Sequence, residues 1–427
     1  MRVTVSHLVI ILITCSSMVG CKNAEKSPTL EKMKIEKTAA DILGDPNYLA
    51  ISYGGYRGKS RDIQPTVQQL KEDLYILHAM GIRMLRTYNV QLPHASNILK
   101  AISEIQTEDS SFEMYVMLGA WIDCLNAWTD KVPDHDKESP DNKAEIERAV
   151  QLANQYPDIV KVLAVGNEAM VKWATSYYVQ PEVILKWVNH LQYLKRHHKL
   201  PEDLWITSSD DFSSWGGGDS SYHTDDLNSL IQAVDFISMH TYPYHNTHYN
   251  PNFWWVPDAH VEVPDLTKIE MAMERALNFA QNQYDSVANY MASIGVKKPI
   301  HIGETGWATV STGYYGSNGS RATDEFKQGL YYKHMREWTN AQQISCFYFE
   351  AFNEQWKDAH NPKGSENHFG LFTIDGMAKY PIWDLVDKGV FDGLMRGGKN
   401  IRKTYNGSRD SLMKHVAVPP QKVGTKK

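Results

Sequence analysis

Eight short apolar runs, each followed by a longer run of helical periodicity, set the strongest limit on how this chain folds. The strand candidates span residues 48–56, 82–89, 113–122, 160–168, 204–210, 234–244, 299–307 and 344–352. The clearest helical patterns between them span 66–80, 143–156, 181–197, 268–293 and 323–339. Pro65 and Gly81 bracket the first of these, proline suiting a helix start and glycine its end. The strand runs are mostly continuous rather than alternating, as expected of strands covered on both faces. Strand–helix alternation repeated eight times predicts an α/β fold, a single (β/α)8 TIM barrel with elongated βα loops, over residues 46–395. The chain of 427 residues suits one such barrel enlarged by insertions.

Under that count Glu168 falls at the C-terminal end of the fourth strand and Glu304 at that of the seventh. Active sites of these barrels sit at this face. Strands four and seven lie nearly across the barrel, so two inward carboxyls can flank one bond. One glutamate at a strand end is an ordinary residue. Two, beside Asn167 and Trp307, match what glycosidic cleavage requires: one acid to protonate the leaving oxygen and one carboxylate to attack or stabilise the sugar carbon.

Composition narrows the partners. A net charge of −6 argues against nucleic acid. The 12 Trp and 23 Tyr suit a carbohydrate site, because aromatic rings pack on the apolar faces of sugars while their polar edges stay wet. A large barrel core would use many of the same rings.

The N-terminus reads as an export signal over residues 1–20, with Leu8 to Ile13 as its apolar stretch, too short to span a bilayer. Ser17-Met18-Val19-Gly20-Cys21 resembles a bacterial lipobox, departing at Met18 where leucine is usual, and makes Cys21 the expected lipidation site. Residues 21–45 read as a charged, flexible tether, which places the protein in the cell envelope on a lipid anchor. A plain secretory signal is the alternative. Cys124 and Cys346 then remain and are expected as free buried thiols. Residues 396–427 carry many lysines and arginines without apolar periodicity and read as a basic, partly disordered tail.

Motifs at successive strand ends resemble glycoside hydrolase family 17, the endo-β-1,3-glucanases. They are Ser52-Tyr53-Gly54, Arg86-Thr87-Tyr88, Val165-Gly166-Asn167-Glu168, Thr241-Tyr242-Pro243-Tyr244, Glu304-Thr305-Gly306-Trp307, the stretch from Phe352 to Asp358, and Phe369-Gly370-Leu371-Phe372. The resemblance runs from about Ile51 to Pro381. It implies Glu168 as general acid/base, Glu304 as nucleophile, retention through a covalent glucosyl–Glu304 intermediate, and no cofactor. A retaining pair requires carboxyls about 5–5.5 Å apart. The resemblance also implies substrate contacts from Tyr53, Tyr88, Asn167, Tyr242, Trp307, Phe352, Glu354 and Lys357. For Tyr88 and Tyr242 core packing is the competing reading, and for Glu354 and Lys357 an ordinary ion pair.

Two departures stand out. Glu350 replaces a small residue of plant members and brings a third carboxylate towards the site. Met239-His240 stands where plant members show Ala-Asn. His240, His245 and His248 have no Asp, Glu or Cys at the usual spacing to complete a metal set, so they read as histidines of a sugar cleft and no metal is expected. Residues 121–140, 208–224 and 249–264 exceed the needs of a minimal barrel. Their Trp121, Trp128, Trp215, Trp254 and Trp255 are expected to wall a sugar groove. The expected activity is retaining endo-hydrolysis of laminarin-like β-1,3-glucan by a monomer. A β-1,3-glucanosyltransferase and a non-catalytic glycan-binding lipoprotein are the alternatives.

Overall fold

A computed structural model describes residues 37–422 of the chain. The expected signal peptide and the lipidation site Cys21 lie outside these residues. Eight parallel strands close into a barrel in sequence order: Leu49–Ser52, Ile82–Arg86, Tyr115–Ala120, Val160–Asn167, Trp205–Asp211, Ile237–His240, Ile300–Gly306 and Cys346–Phe349, the eighth pairing with the first. Each lies on a predicted run, most of them shorter than that run. The surplus residues leave the sheet at its C-terminal rim, where Tyr88, Glu168 and Tyr242 stand.

The five clearest helices are Val67–Ala79, Asn142–Gln155, Pro181–Arg196, Asp265–Ser293 and Glu325–Ala341. The first opens with a capping box: Gln69 N–H donates to Thr66 Oγ1 at 3.2 Å, and Thr66 N–H to Gln69 Oε1 at 3.0 Å. It ends before Gly81, whose φ of +87° suits the residue beyond a helix terminus. Among the described residues no helix is long and apolar enough to cross a membrane.

The tether expectation runs too far into the domain. Ala39–Ile42 is a capped helical turn, and Ala39, Ile42 and Leu43 are buried against Ala50, Met84, Met117, Val162, Phe236 and Phe347. They close the N-terminal mouth of the barrel. A four-residue helix is too short to declare itself by periodicity.

The tail expectation is also corrected, for residues 396–422. Arg396 is buried and pairs with Asp73 at 2.8 and 3.1 Å. Met395–Arg396 and Lys399–Asn400 form a small antiparallel pair, Thr404 Oγ1 donates to Glu325 at 2.6 Å, Leu412 is buried, and Val256 N–H donates to Pro420 O at 2.9 Å. Partners this far apart in sequence leave no local pattern to read.

Cys124 and Cys346 are free and buried. Trp215 and Trp254 do not wall a groove. Both are fully buried, their indole N–H groups donating to Ser238 O and Ser320 O at 3.0 and 2.6 Å. The long loops fold back over the barrel and use these rings as core.

Candidate active site

The site begins with two backbone adjustments. At the end of the fourth strand Gly166 takes φ +81° and Glu168 φ +46°, and Glu168 N–H donates to Ser209 O at 3.0 Å. A side chain on Gly166 would also meet Ala169 Cβ at 2.8 Å, so this turn requires glycine. On the seventh strand, a Cβ on Gly303 would fall 2.1 Å from Ser238 Oγ and 2.6 Å from Ser209 Oγ. The space over Gly303 holds a hydroxyl–imidazole chain that runs to Glu168.

In that chain Ser209 Oγ lies 2.8 Å from Ser238 Oγ and 2.8 Å from His240 Nε2, and His240 Nδ1 lies 3.0 Å from Glu168 Oε1. Burial, then the positive charge of Arg86, pushes His240 down to about 4, so the imidazole is neutral at working pH. With Ser209 O–H donating to Nε2, Nδ1–H donates to Oε1 and leaves Glu168 Oε2 to carry the carboxyl proton.

Glu304 is held differently. Arg86, fully buried, forms an ion pair with Glu304 Oε2, and its guanidinium also donates to Gly303 O at 3.1 Å and to Asn167 Oδ1 at 2.5 Å. Tyr88 O–H donates to Oε2 at 2.9 Å and Tyr242 O–H to Oε1 at 2.6 Å. Arg86 and Tyr88 are two residues apart where the second strand ends, so both can aim at one carboxylate.

These surroundings separate the two acids. Burial alone would raise Glu304, but the Arg86 guanidinium, then the charge His240 takes up in acid and the Tyr242 hydroxyl, outweigh it and hold the carboxyl at about 2. Burial, and behind it the charge on Glu304, pushes Glu168 well above the usual carboxylate range. One glutamate is ionised and the other protonated at the same pH. Ligating atoms of Glu168, His240 and Glu304 all lie within 4.8 Å of one another. Oxygens this close fit a retaining pair, whose carboxyls stand about 5–5.5 Å apart, better than an inverting pair, whose water needs about 6.5–9.5 Å. The same three groups make a conceivable cation site, but one against a buried guanidinium that already neutralises Glu304.

Beside Glu304, Lys357 Nζ lies 3.5 Å from Glu350 and 3.8 Å from Glu354, and stands 4.2 Å over the Phe349 ring. Glu350 is buried, one of its oxygens has no hydrogen-bond partner, and burial pushes its carboxyl well above the usual range. Glu354 accepts from Trp356 Nε1 at 2.8 Å.

The expected residues therefore divide. Tyr88, Asn167 and Tyr242 meet around Glu304, with Glu354 and Lys357 beside them. Tyr53, Trp307 and Phe352 do not reach the cleft. Tyr53 is buried and donates to Asp73 at 3.0 Å, Trp307 is fully buried with its N–H on Ala322 O at 2.8 Å, and Phe352 stacks on Phe372 beneath Arg396. Each stands at a strand end but points outward into the barrel–helix layer. Arg86 and Ser209 were not among the expected site residues, and His240, expected in the cleft, was not expected on Glu168. The two-residue spacing of Arg86 and Tyr88 was a usable signal for the first. Nothing local links Ser209 or His240 to Glu168. The three histidines go separate ways, His245 to Tyr315 O–H at 3.1 Å and His248 onto the Tyr314 ring.

A closed (β/α)8 barrel with a protonated and an ionised glutamate on strands four and seven is the architecture of a retaining-type glycosidase. The chain belongs to the family described as the BtgE/BtgC glycoside hydrolase domain, whose model matches residues 50–370. The resemblance to family 17 holds. The chain is similar to an endo-laminarinase from Formosa Hel1_33_131, at 65% identity with a TM-score of 0.90, covering 92% of this chain and all of that one. The putative glucan endo-1,3-beta-glucosidase btgC of Aspergillus niger is 25% identical over 313 residues, 71% of this chain but 37% of that protein's length. The glucan 1,3-beta-glucosidase of Arthroderma benhamiae is 23% identical over 273 residues, 62% of this chain and 70% of that one. A Rhizomucor miehei beta-1,3-glucanosyltransferase, solved as an active-site mutant with laminaritriose, shares the fold at a TM-score of 0.54 and 20% identity, over 78% of this chain and 96% of that one.

Proposed function

We propose that the protein is a retaining endo-β-1,3-glucanase acting on laminarin-like glucan. The observation that carries the reading is the opposite protonation of Glu168 and Glu304 at retaining distance. Similarity to the endo-laminarinase supports the linkage and the endo mode.

The ionised Glu304 attacks the anomeric carbon while the Glu168 carboxyl gives its proton to the departing glycosidic oxygen. Asn167, its side-chain oxygen taken by Arg86, presents its amide N–H groups to the 2-hydroxyl of the bound sugar. Once Glu304 is an ester its charge is gone, and with it one cause of the raised Glu168 pKa. Glu168, now a carboxylate, removes a proton from water, the water oxygen attacks the anomeric carbon, and Glu304 leaves ionised.

The test is a time course of products from linear β-1,3-glucan with the wild type and Glu304→Gln. The expected outcome is short oligosaccharides of several lengths from the wild type and none from the variant. Products longer than the substrate in place of short ones, rather than beside them, would move the assignment to glucanosyl transfer, and binding without turnover in both proteins would sink the hydrolase reading.

A further inference from the structure

The loop after the third strand ends in an aromatic arrangement that the chemistry above does not use. Trp121 is the first residue beyond that strand. Ala120 pairs in register with Val165, so Trp121 leaves the barrel alongside Gly166, next to Asn167 and Glu168. The Tyr177 ring packs against two indoles, tilted at 5.5 Å from Trp121 and stacked at 4.9 Å on Trp128. Both indole N–H groups donate to one oxygen, Asp123 Oδ1, at 2.7 and 3.1 Å. The loop is braced from below: Trp121 N–H donates to Glu145 at 3.1 Å and Cys124 N–H to Tyr177 O at 3.0 Å.

Trp128 is nevertheless 62% exposed. It also holds φ +59°, and Asn126 before it φ +66°, a backbone region that side chains other than glycine avoid. An indole placed this way buries little surface for the fold. Its N–H is taken by Asp123 and its ring stacks on Tyr177, yet most of its surface stays open to solvent. Strained positions of this kind persist where a binding surface is being shaped. A flat apolar face rimmed by a carboxylate fits the C–H face of a pyranose ring.

We propose that Trp121, Tyr177 and Trp128 form a ledge that holds the glucosyl unit on the leaving-group side of the scissile bond, and that the same ledge receives a sugar acceptor at the covalent intermediate. The assignment rests on the β-1,3-glucan reading above. Its direction follows from Glu168: the group that protonates the glycosidic oxygen stands on the side where the leaving sugar departs. Burial, and behind it the charge of Glu168, pushes the Tyr177 phenol up, in keeping with a ledge beside that carboxyl. The polar cluster of Glu350, Glu354 and Lys357 stands by Glu304 instead and is left to the donor side.

In the transfer step a hydroxyl oxygen of the sugar on the ledge attacks the anomeric carbon of the glucosyl–Glu304 ester. Its proton passes to the Glu168 carboxylate, and Glu304 leaves as the carboxylate. Water and the held sugar compete for one intermediate, so the ledge sets the ratio of hydrolysis to transfer.

The experiment forms the intermediate from β-laminaribiosyl fluoride, whose leaving group is a single atom, and adds laminaribiose as acceptor. Trp128→Ala is expected to raise the acceptor concentration for half-maximal transfer by about tenfold, the scale of one lost stacking contact. Trp128→Tyr, which keeps a ring, is expected to restore most of it. Val132→Ser, at an 85% exposed position in the same loop, is expected to match the wild type. Unchanged acceptor saturation in Trp128→Ala, or an equal loss in forming the intermediate from the fluoride, overturns the ledge. A wild type that turns over neither the fluoride nor linear β-1,3-glucan overturns the β-1,3-glucan reading instead, and the ledge assignment falls with it.

Discussion

Glu168 and Glu304 are the same residue in two settings, and Arg86 makes most of the difference between them. Both carboxyls have lost water, which favours their neutral forms. Glu304 alone gains a buried guanidinium and two phenol donors. Replacing Arg86 with Met should let burial dominate, so that Glu304 is ionised only at higher pH. The acid limb of kcat/KM should then move up in pH, and kcat at the optimum should fall by roughly a hundredfold, the usual cost of losing a placed charge partner. A pH–rate profile decides it. An acid limb left where the wild type has it would show that the phenols, not Arg86, hold the charge.

At the scale of elements, five strands each deliver part of the site, the fifth through Ser209, which bonds His240. The second strand ends in Arg86 and leads to Tyr88, the fourth to Asn167 and Glu168, the sixth to His240 and Tyr242, and the seventh carries Glu304. Their register brings these side chains together, and Gly303 supplies the clearance. The opposite end of the barrel has another task. The turn Ala39–Ile42 buries its apolar side on the barrel floor and touches nothing catalytic. Ile42→Ala should cost about 2–5 kcal/mol by leaving a cavity there, read from urea unfolding, with kcat unchanged. A drop in kcat with intact stability would mean that the floor and the rim are coupled.

For the molecule as a whole the site is a stability liability on one side only. Glu304, with its pKa depressed in the fold, contributes stability above its unfolded pKa and loses it as pH falls towards about 2. Glu168 behaves oppositely. Its raised pKa means that ionisation is disfavoured in the fold, so its effect grows as pH rises above the unfolded value of about 4.3. Glu168→Gln, inactive on glucan, should therefore be more stable than the wild type at neutral and alkaline pH and no different below about pH 4. Thermal unfolding across pH tests this, and a constant difference at all pH values would exclude a titration origin. At this scale the chain is also closed by its own end, since residues 396–422 run from the Asp73–Arg396 pair to the loop around Val256.

The eight strands were legible because apolar β-branched runs and amphipathic helices repeat locally, and periodicity is a local property. Glu168 and Glu304 were legible for a related reason: a strand's end is read from its own run, and the C-terminal rim of a barrel is where chemistry collects. Direction was not legible. Trp307, Tyr53 and Phe352 stand at strand ends like the catalytic pair, but which way a side chain points depends on the register of each strand against its neighbours. The packed floor turn, the ordered C-terminal wrap and the link from Ser209 through His240 to Glu168 all join residues far apart in sequence. The chain by itself determined the barrel and named its two acids. The family resemblance assigned the two roles, but only the tertiary structure supplied their cause, because the charge on Glu304 depends on Arg86 being brought against it in a place that water does not reach.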